Sequence, residues 1–463
     1  MIDDWSNVTV EEIKSSKPHA IAMGPFGSDI KSDNFVSFGV PIIRGVNLGT
    51  ERFKDDDFVF LTDQKADELH SANAYPGDII FTHRGTLGQV GIIPHNARYP
   101  RYVVSQSQMK LSCDLKKVDP LFVFYYFRSL SGQQALLANT STTGVPAIAR
   151  PLTSLKSILL PLPPISEQYV IAHILGAFDD KIELNRQMNE TLEAIARAIF
   201  KSWFVDFDPV KAKAEGRKPE GMDDATAALF PSNFTESSLG LIPEGWEVTT
   251  VEEIAQQVAM GPFGSDIKVS TFVSEGIPVI SGRHLKDVML TDNEFNFVTE
   301  EHAEKLKKAN VKRGDVIFTH AGNIGHVSYI PEGSKFERYI LSQRQFYLRC
   351  NEQKISPLFM VYFFRSPEGQ HRLLANTSQT GVPSIARPVS YLRTITFIKP
   401  PRKILKEFDK IILSLHRKIL TNSKEVNNLS ELRDLLLPRL ISGKLLVGEI
   451  KVKDAEKYAE AHL

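Results

Sequence analysis

An excess of one charge is missing from this chain: 55 lysines and arginines are balanced by 55 aspartates and glutamates over 463 residues. A protein that holds nucleic acid nonspecifically carries a basic excess, because phosphate neutralisation supplies that affinity. If nucleic acid is the ligand, basic residues must gather on one face or other subunits must contribute. Cysteine is nearly absent too. The two present, Cys113 and Cys350, fall at equivalent places in the repeats described below, so neither repeat can close a disulfide of its own or offer a Cys-x-x-Cys metal site. Both are expected to be small buried strand residues. No apolar run approaches the roughly 20 residues of a membrane span, and the acidic start MIDDWSNVTVEEI lacks the basic and apolar regions of a signal peptide. A cytoplasmic protein is expected. Also missing are a Gly-x-x-x-x-Gly-Lys-Ser/Thr phosphate loop, an Asn/Asp-Pro-Pro-Tyr/Phe amino-methyltransferase motif and a His-Glu-x-x-His zinc helix. The chain reads as a binder without a resident cofactor or metal. A stand-alone DNA-modifying or cleaving enzyme, or a scaffold that does not touch DNA, are the alternatives.

What the chain has is a copy of itself. The segment GPFGSDIK at Gly24–Lys31 returns letter for letter at Gly261–Lys268, an offset of 237 residues that runs ungapped from Ala22 (Ala259) to Asn185 (Asn422). GDIIFTHRGTLGQVGIIP from Gly77 matches GDVIFTHAGNIGHVSYIP from Gly314. RYVVSQSQMKL from Arg101 matches RYILSQRQFYL from Arg338, and LANTSTTGVPAIARP from Leu137 matches LANTSQTGVPSIARP from Leu374. A period this long is a domain duplication rather than a solenoid. Two repeat domains, 1–163 and 244–400, imply two similar tasks held at a fixed geometry.

Each repeat leaves through prolines, LPLPPISEQ at Leu160–Gln168 and FIKPPRKIL at Phe397–Leu405, into a long helical pattern. Residues recur at helical spacing at Ile171, Ile174, Phe178, Ile182, Asn185 and Leu192 in the first (164–205). The second (401–441) repeats the register at Phe408, Ile411, Leu415, Ile419, Asn422, Leu429 and Leu432, until Pro438 should stop or kink it. Rods of about 55 Å are best satisfied by packing on each other. In an antiparallel pair related by a pseudo-twofold axis, Asn185 and Asn422 would meet in the core and fix register, unless they form a solvated break in the stripe. The connector 206–243 reads as irregular chain long enough to return along a rod. The tail 442–463 has no clear assignment. The fold class is α+β: two duplicated α/β domains separated by two long antiparallel coiled-coil helices.

Two repeat domains alternating with two long helices, the LPLPPISEQ exit, a helix running DDKIELN (Asp179–Asn185) into IFKSWFVDFDPV (Ile199–Val210), and a second ending LRDLLLPRLISGKL (Leu432–Leu445) together resemble the specificity subunit of Type I restriction-modification systems. The second exit lacks the Glu-Gln pair, with Leu405 where the first has Gln168. The resemblance implies a non-catalytic reader of double-stranded DNA whose repeats are target-recognition domains, one for each half of a bipartite site, with the helices as a spacer ruler. It also implies two methyltransferase and two restriction-translocation subunits as partners, which would bring S-adenosylmethionine, ATP and magnesium.

Three segments are suited to touching DNA. The GPFGSDIK loops, with Ser28 and Lys31 or Ser265 and Lys268, allow backbone N–H groups near a phosphate, though a tight folding turn is the plainer reading. The hairpin tips after GDIIF and GDVIF carry His83, Arg84 and Thr86, or His320 and Asn323. On the strand from Arg101, alternation would put Gln106 and Gln108 on one face, kept as Gln343 and Gln345, where glutamine could read adenine or merely pack. Differences between copies point to unequal half-sites: Arg44 and Asn47 become Ser281 and His284, Val46 becomes Arg283, Arg84 becomes Ala321, and Ser107 becomes Arg344. Arg44, Arg84, Arg283 and Arg344 are candidates for guanine or for phosphate. Asp78 with His83, repeated as Asp315 with His320, could suggest a metal. Five residues apart on a strand they face opposite ways, and Asp78 fits the Pro76-Gly77-Asp78 turn better.

Overall fold

The computed structural model describes residues 5–445 apart from 28, 50–51, 142–143, 265, 293 and 379–380. The chain divides into two compact units, Met1–Gln187 with Asn422–Leu463, and Met188–Thr421. Each unit therefore holds one repeat domain, the near part of one long helix and the far part of the other. No helix among the described residues is long and apolar enough to cross a membrane.

In the first unit an antiparallel sheet takes the strands in the order Ile21–Met23, Gln108–Leu111, Ile79–Thr82, Val90–Ile92. A second sheet has the order Phe60–Leu61, Val40–Ile43, Tyr102–Val104, Asn73–Ala74, and its central pair is parallel. The sequence PLFVFYYFR is apolar on every side, and its helix, Pro120–Arg128, is correspondingly buried, with Pro120 in its first turn and Asp119 capping Leu121 N. Ser6–Thr9 pairs with Leu159–Leu162 and brings the two ends of the domain together at the helix entrance. The second unit repeats all of this, with PLFMVYFFR at Pro357–Arg365 and Glu247–Thr250 paired with Thr396–Lys399. Cys113 and Cys350 are buried free thiols, and burial pushes both well above the ordinary thiol range.

The two exits use different chemistry. Gln168 is buried, accepts a hydrogen bond from Asp119 N (3.0 Å) and donates to Pro163 O (2.8 Å), while Glu167 accepts from Trp5 Nε1 (3.1 Å). In the second unit Ile404 and Leu405 stand at these places in the apolar core, and the indole nitrogen of Trp246, the counterpart of Trp5, is buried without a partner. The Glu-Gln pair is thus a polar tie that the second exit replaces with burial.

The long helices span Ile165–Phe204 and Arg402–Ile441 and run antiparallel within each unit. In the first unit Asp179 meets Arg433 (2.7 Å) and Lys181 meets Glu425 (3.7 Å). In the second, Phe408 packs on Phe204 (5.0 Å between centroids) and Phe200 (6.0 Å). Asn185 and Asn422, four residues beyond Lys181 and three before Glu425, are both buried. Ile171, Ile182, Phe408 and Ile419 are buried as well, whereas Ile174, Phe178, Leu192, Ile411, Leu415 and Leu429 are half-buried. The simple heptad misses a second face: Ala172 and Leu175, like Leu437, Leu440 and Ile441, sit in the core of the first domain. Leu432 is left 47 % exposed, and the neighbouring Arg433 turns inward. Pro438 does not end its helix. It lies in the last turn, which continues to Ile441 at the cost of one ladder bond. The connector also departs from expectation. It forms helices Asp208–Ala214 and Asp224–Ala228 and a hairpin, Phe234–Ser237 with Gly240–Pro243, and buries Val210 and Phe230 in the second domain's core.

Where each domain seats on its helices, a matched set of residues differs. In the first unit Asp179 accepts from Tyr125 Oη (2.6 Å), Arg52 Nε (3.4 Å) and Arg433 (2.7 Å). At the equivalent positions of the second unit stand His416, Met289 and Ala196, all buried, and His416 Nε2 meets Tyr362 Oη at 2.9 Å. One joint is ionic and the other neutral. Asp179→His alone should therefore leave Arg52 with Asp180 and Gly176 O and Arg433 with Asp434, each short of its most buried carboxylate, and cost about 1–3 kcal/mol in urea unfolding, while the triple change Asp179→His, Arg52→Met, Arg433→Ala should recover more than half of it. His416 gives a pH signature. Burial pushes its imidazole from 6.5 down to about 4. The folded state thus excludes a proton that the unfolded chain accepts, so its contribution is complete above 6.5 and is lost as pH falls toward 4. Against His416→Gln, which does not titrate, wild type should lose about 1.4 kcal/mol per pH unit across that window, read as unfolding free energy at a series of pH values.

Candidate nucleic-acid interface

Three loops of each domain meet because the backbone lashes them together. The Gly24–Lys31 loop begins with Gly24 N donating to Gln108 O (2.9 Å), and His83 N at the hairpin tip donates to Ser107 O (2.9 Å). His83 Nε2 also lies 3.1 Å from Gln106 O. In the second domain Gly261 N donates to Gln345 O (2.8 Å), His320 N to Arg344 O (3.0 Å), and His320 Nε2 lies 3.2 Å from Gln343 O. A Cβ at Gly24 or Gly261 would run into the carbonyl of Ser105 or Ser342, so glycine here serves close approach of two backbones.

The segment from Arg101 is not one strand. It turns at Gln106–Ser107, so Tyr102–Val104 and Gln108–Leu111 belong to different sheets. Gln106 is exposed on the turn, and Gln108 is buried, donating to Thr82 Oγ1 (3.3 Å) and accepting from Ser105 Oγ. Gln343 and Gln345 divide the same way. The shared-face reading is corrected: one glutamine of each pair faces outward and the other holds the turn.

Asn47 and His284 are likewise internal. Asn47 is fully buried, its Oδ1 accepting from Arg44 N (2.9 Å) and its Nδ2 donating to Lys54 O and Asp56 O. At the equivalent place His284 Nδ1 accepts from Ser281 N at 3.0 Å. The Asn-to-His difference is two solutions to one capping task, not two base readers. His83 is buried and His320 half-buried, and burial pushes both imidazoles down, toward the neutral form. They act as struts. Arg44 is half-buried and donates to Asp57 O (2.6 Å), and Arg283 is tied to Glu294 O and ion-paired with the Glu294 carboxylate at 3.7 Å. Asp78 closes its turn by accepting from Tyr75 N (2.9 Å) and faces Lys110 at 3.6 Å, while Asp315 takes Arg349 in a bidentate pair (2.8 and 2.7 Å). Aspartate and histidine therefore serve separate ends of the strand.

Lys31, Arg84, Thr86, Gln106, Lys268, Asn323, Gln343 and Arg344 remain outward. Ser28 and Ser265 lie outside the described residues. The exposed arginine of the junction changes sides between the copies. Arg84 stands on the tip of the first domain, opposite Ser107. In the second, Ala321 stands on the tip, and Arg344 reaches across from the turn, its guanidinium 3.3 Å from where a Cβ at Gly322 would be. A fourth segment joins this surface. Gly85 N donates to Pro146 O and Ile148 N to His83 O, so the repeated segment Gly144–Pro146 abuts the tip and exposes Val145, as Gly322 N, Pro383 and Val382 do in the other domain. Arg150 and Arg387 follow it, exposed and left-handed (φ 46° and 47°) directly before a proline. That is a strained setting for a non-glycine residue. The near-identity of LANTS-x-TGVP-x-IARP in both copies was the signal for them. A cleft of about 310 Å³ in the first domain, lined by Phe26, Gly27, Phe35, Arg44, Gln106 and Ser107 among others, separates the Gly24–Lys31 loop from the Arg44 turn.

Residues 36–194 and 243–428 match the family model described as Type I restriction modification DNA specificity domain. The chain is 27 % identical over 416 residues to the Type I restriction enzyme HindI specificity subunit of Haemophilus influenzae, covering 80 % of this chain and 86 % of that protein. It is 26 % identical over 396 residues to the MjaIX specificity subunit of Methanocaldococcus jannaschii, covering 84 % and 82 %. In fold it is similar to the crystal structure of the Type I restriction-modification S subunit from M. genitalium, with a TM-score of 0.55 at 16 % identity over 95 % of this chain and 97 % of that one.

The two glutamines give the test of this surface. Gln108→Ala should cost about 1–3 kcal/mol in urea unfolding by orphaning buried partners, and Gln106→Ala should stay within about 0.5 kcal/mol of wild type. Equal costs would contradict the division between them.

Proposed function

The chain belongs to the Type I restriction-modification DNA specificity family, and from that premise we propose that each repeat domain reads one half of a bipartite duplex target while the long helices set the gap between the halves. The observation that carries this reading is the relocated arginine. Loops, struts and caps keep their places in both domains, whereas the outward cation sits on the tip as Arg84 in one and on the turn as Arg344 in the other. A scaffold held constant under a moved guanidinium is what reading two unlike sequences requires, since arginine discriminates guanine by two hydrogen bonds to O6 and N7.

The balanced charge of the chain fits a reader that shares its phosphate contacts with other subunits. In this proposal Lys31 and Lys268 position the backbone, two methyltransferase and two restriction-translocation subunits assemble on the chain, and S-adenosylmethionine, ATP and magnesium act on those partners. The chain itself carries no step of the chemistry. Antiparallel helices suit a ruler, because the seat of each domain is fixed by residues of both: Asp179 with Arg433 in one unit, Phe204 with Phe408 in the other.

Arg84→Ala tests the assignment. With the methyltransferase partner present, methylation sequencing should show relaxed preference at one position of one half-site, at a cost of about 1–3 kcal/mol, and Arg344→Ala should do the same in the other half. A uniform loss over all sequences would make these arginines phosphate contacts instead.

A further inference from the structure

We propose that Phe26 and Phe263 are wedge residues, each inserting its ring between stacked bases at one half-site. The inference rests on the reading of each domain as a reader of duplex DNA. Phe26 is 78 % exposed and Phe263 84 % exposed, at the apex of loops identical in both copies. An aromatic ring so placed contributes nothing to a core. Its backbone is nonetheless fixed: Phe26 N donates to Asp29 Oδ2 (3.1 Å) and Asp29 N to Phe26 O (2.9 Å), and Asp266 N donates to Phe263 O (2.9 Å). A Cβ at Gly27 or Gly264 would meet the amide oxygen of Gln106 or Gln343, so each loop lies directly against the outward glutamine. The ring thus stands out from a turn closed by hydrogen bonds, beside the turn that bears the outward glutamine.

The comparison between the domains says what the ring is for. Features that differ, such as Arg84 against Ala321, suit half-sites that differ. A residue kept in both must serve something that both half-sites share. Stacking meets that condition, because every base offers a π face and an inserted ring is indifferent to sequence. Exposure alone does not select these positions: Phe38 is 80 % exposed, and its counterpart is Glu275. The surroundings suit a ligand that offers both flat rings and hydrogen-bonding edges: Phe26 lines one cleft with Phe35, Arg44 and Gln106. An opened step is, in addition, what a partner that modifies an unstacked base would exploit.

The test uses the full chain purified with its methyltransferase subunit and a duplex carrying the motif that methylation sequencing identifies. Phe26→Ala should leave assembly and unfolding unchanged and weaken binding roughly ten- to a hundredfold. An abasic site walked through the first half-site should restore affinity at one position, because the step is then already open. The same lesion in the second half-site should not restore it. Phe263→Ala should behave as the mirror image, and Phe26→Trp should bind like wild type. Unchanged affinity for Phe26→Ala, a loss that no abasic position recovers, or failure to copurify with the methyltransferase would each overturn the proposal, the last by making the ring a protein contact. Failure of the Arg84 test alone would leave this result standing, so the two readings can be told apart.

Discussion

The hydrogen bonds that lash each hairpin tip to the neighbouring turn, His83 N to Ser107 O and His320 N to Arg344 O, are the constraint on which the exposed surface of each domain depends. They join the antiparallel sheet to the strand that enters from the mixed sheet, and they are made by backbone. Side chains around them can therefore change without moving the frame. The imidazoles of His83 and His320 add a second tie to the same turns, and burial keeps those rings toward neutrality, so the frame does not depend on their charge. With the junction fixed, an arginine can be supplied from either side of it, and the two domains use this freedom differently.

The same logic separates the two seats of the domains on the helices. Asp179 with Arg52 and Arg433 in one unit and His416 with Met289 and Ala196 in the other are alternatives in which several residues change together. A mixture would take from a buried charge its most buried partner, which is destabilising. The aromatic residues Phe200, Trp203 and Phe204 fill the second unit's core where Leu437, Leu440 and Ile441 fill the first. Each helix end thus fits its own domain. A duplicated chain whose halves were interchangeable could pair in the wrong combination, and these joints make wrong pairs unfavourable.

Much of this was legible in the residues. The repeat, the two helices, the buried cysteines and the Pro76-Gly77-Asp78 turn follow from spacing and turn chemistry. The readings that failed share one cause: a linear pattern does not show which polar group another part of the chain will claim. Gln108 alternates with Gln106 on paper, yet a turn between them sends one inward to Ser105 and Thr82. Asn47 and His284 look like variable surface residues, and both are caps. Leu432 keeps the heptad, but a helix that touches a domain as well as its partner buries a second face, and Arg433 takes the inward place. Arg150 and Arg387 take a left-handed backbone that no residue type announces, although the repeated IARP marks their place.

The central claim is that one scaffold used twice reads two unlike half-sites at a fixed separation. Methylation sequencing of DNA from cells carrying this chain with its methyltransferase subunit addresses it most directly. The account predicts a single motif made of two different half-sites divided by a constant gap of unread bases, with a methylated base in each half. A contiguous motif, a palindrome, or a gap that varies from site to site would contradict it.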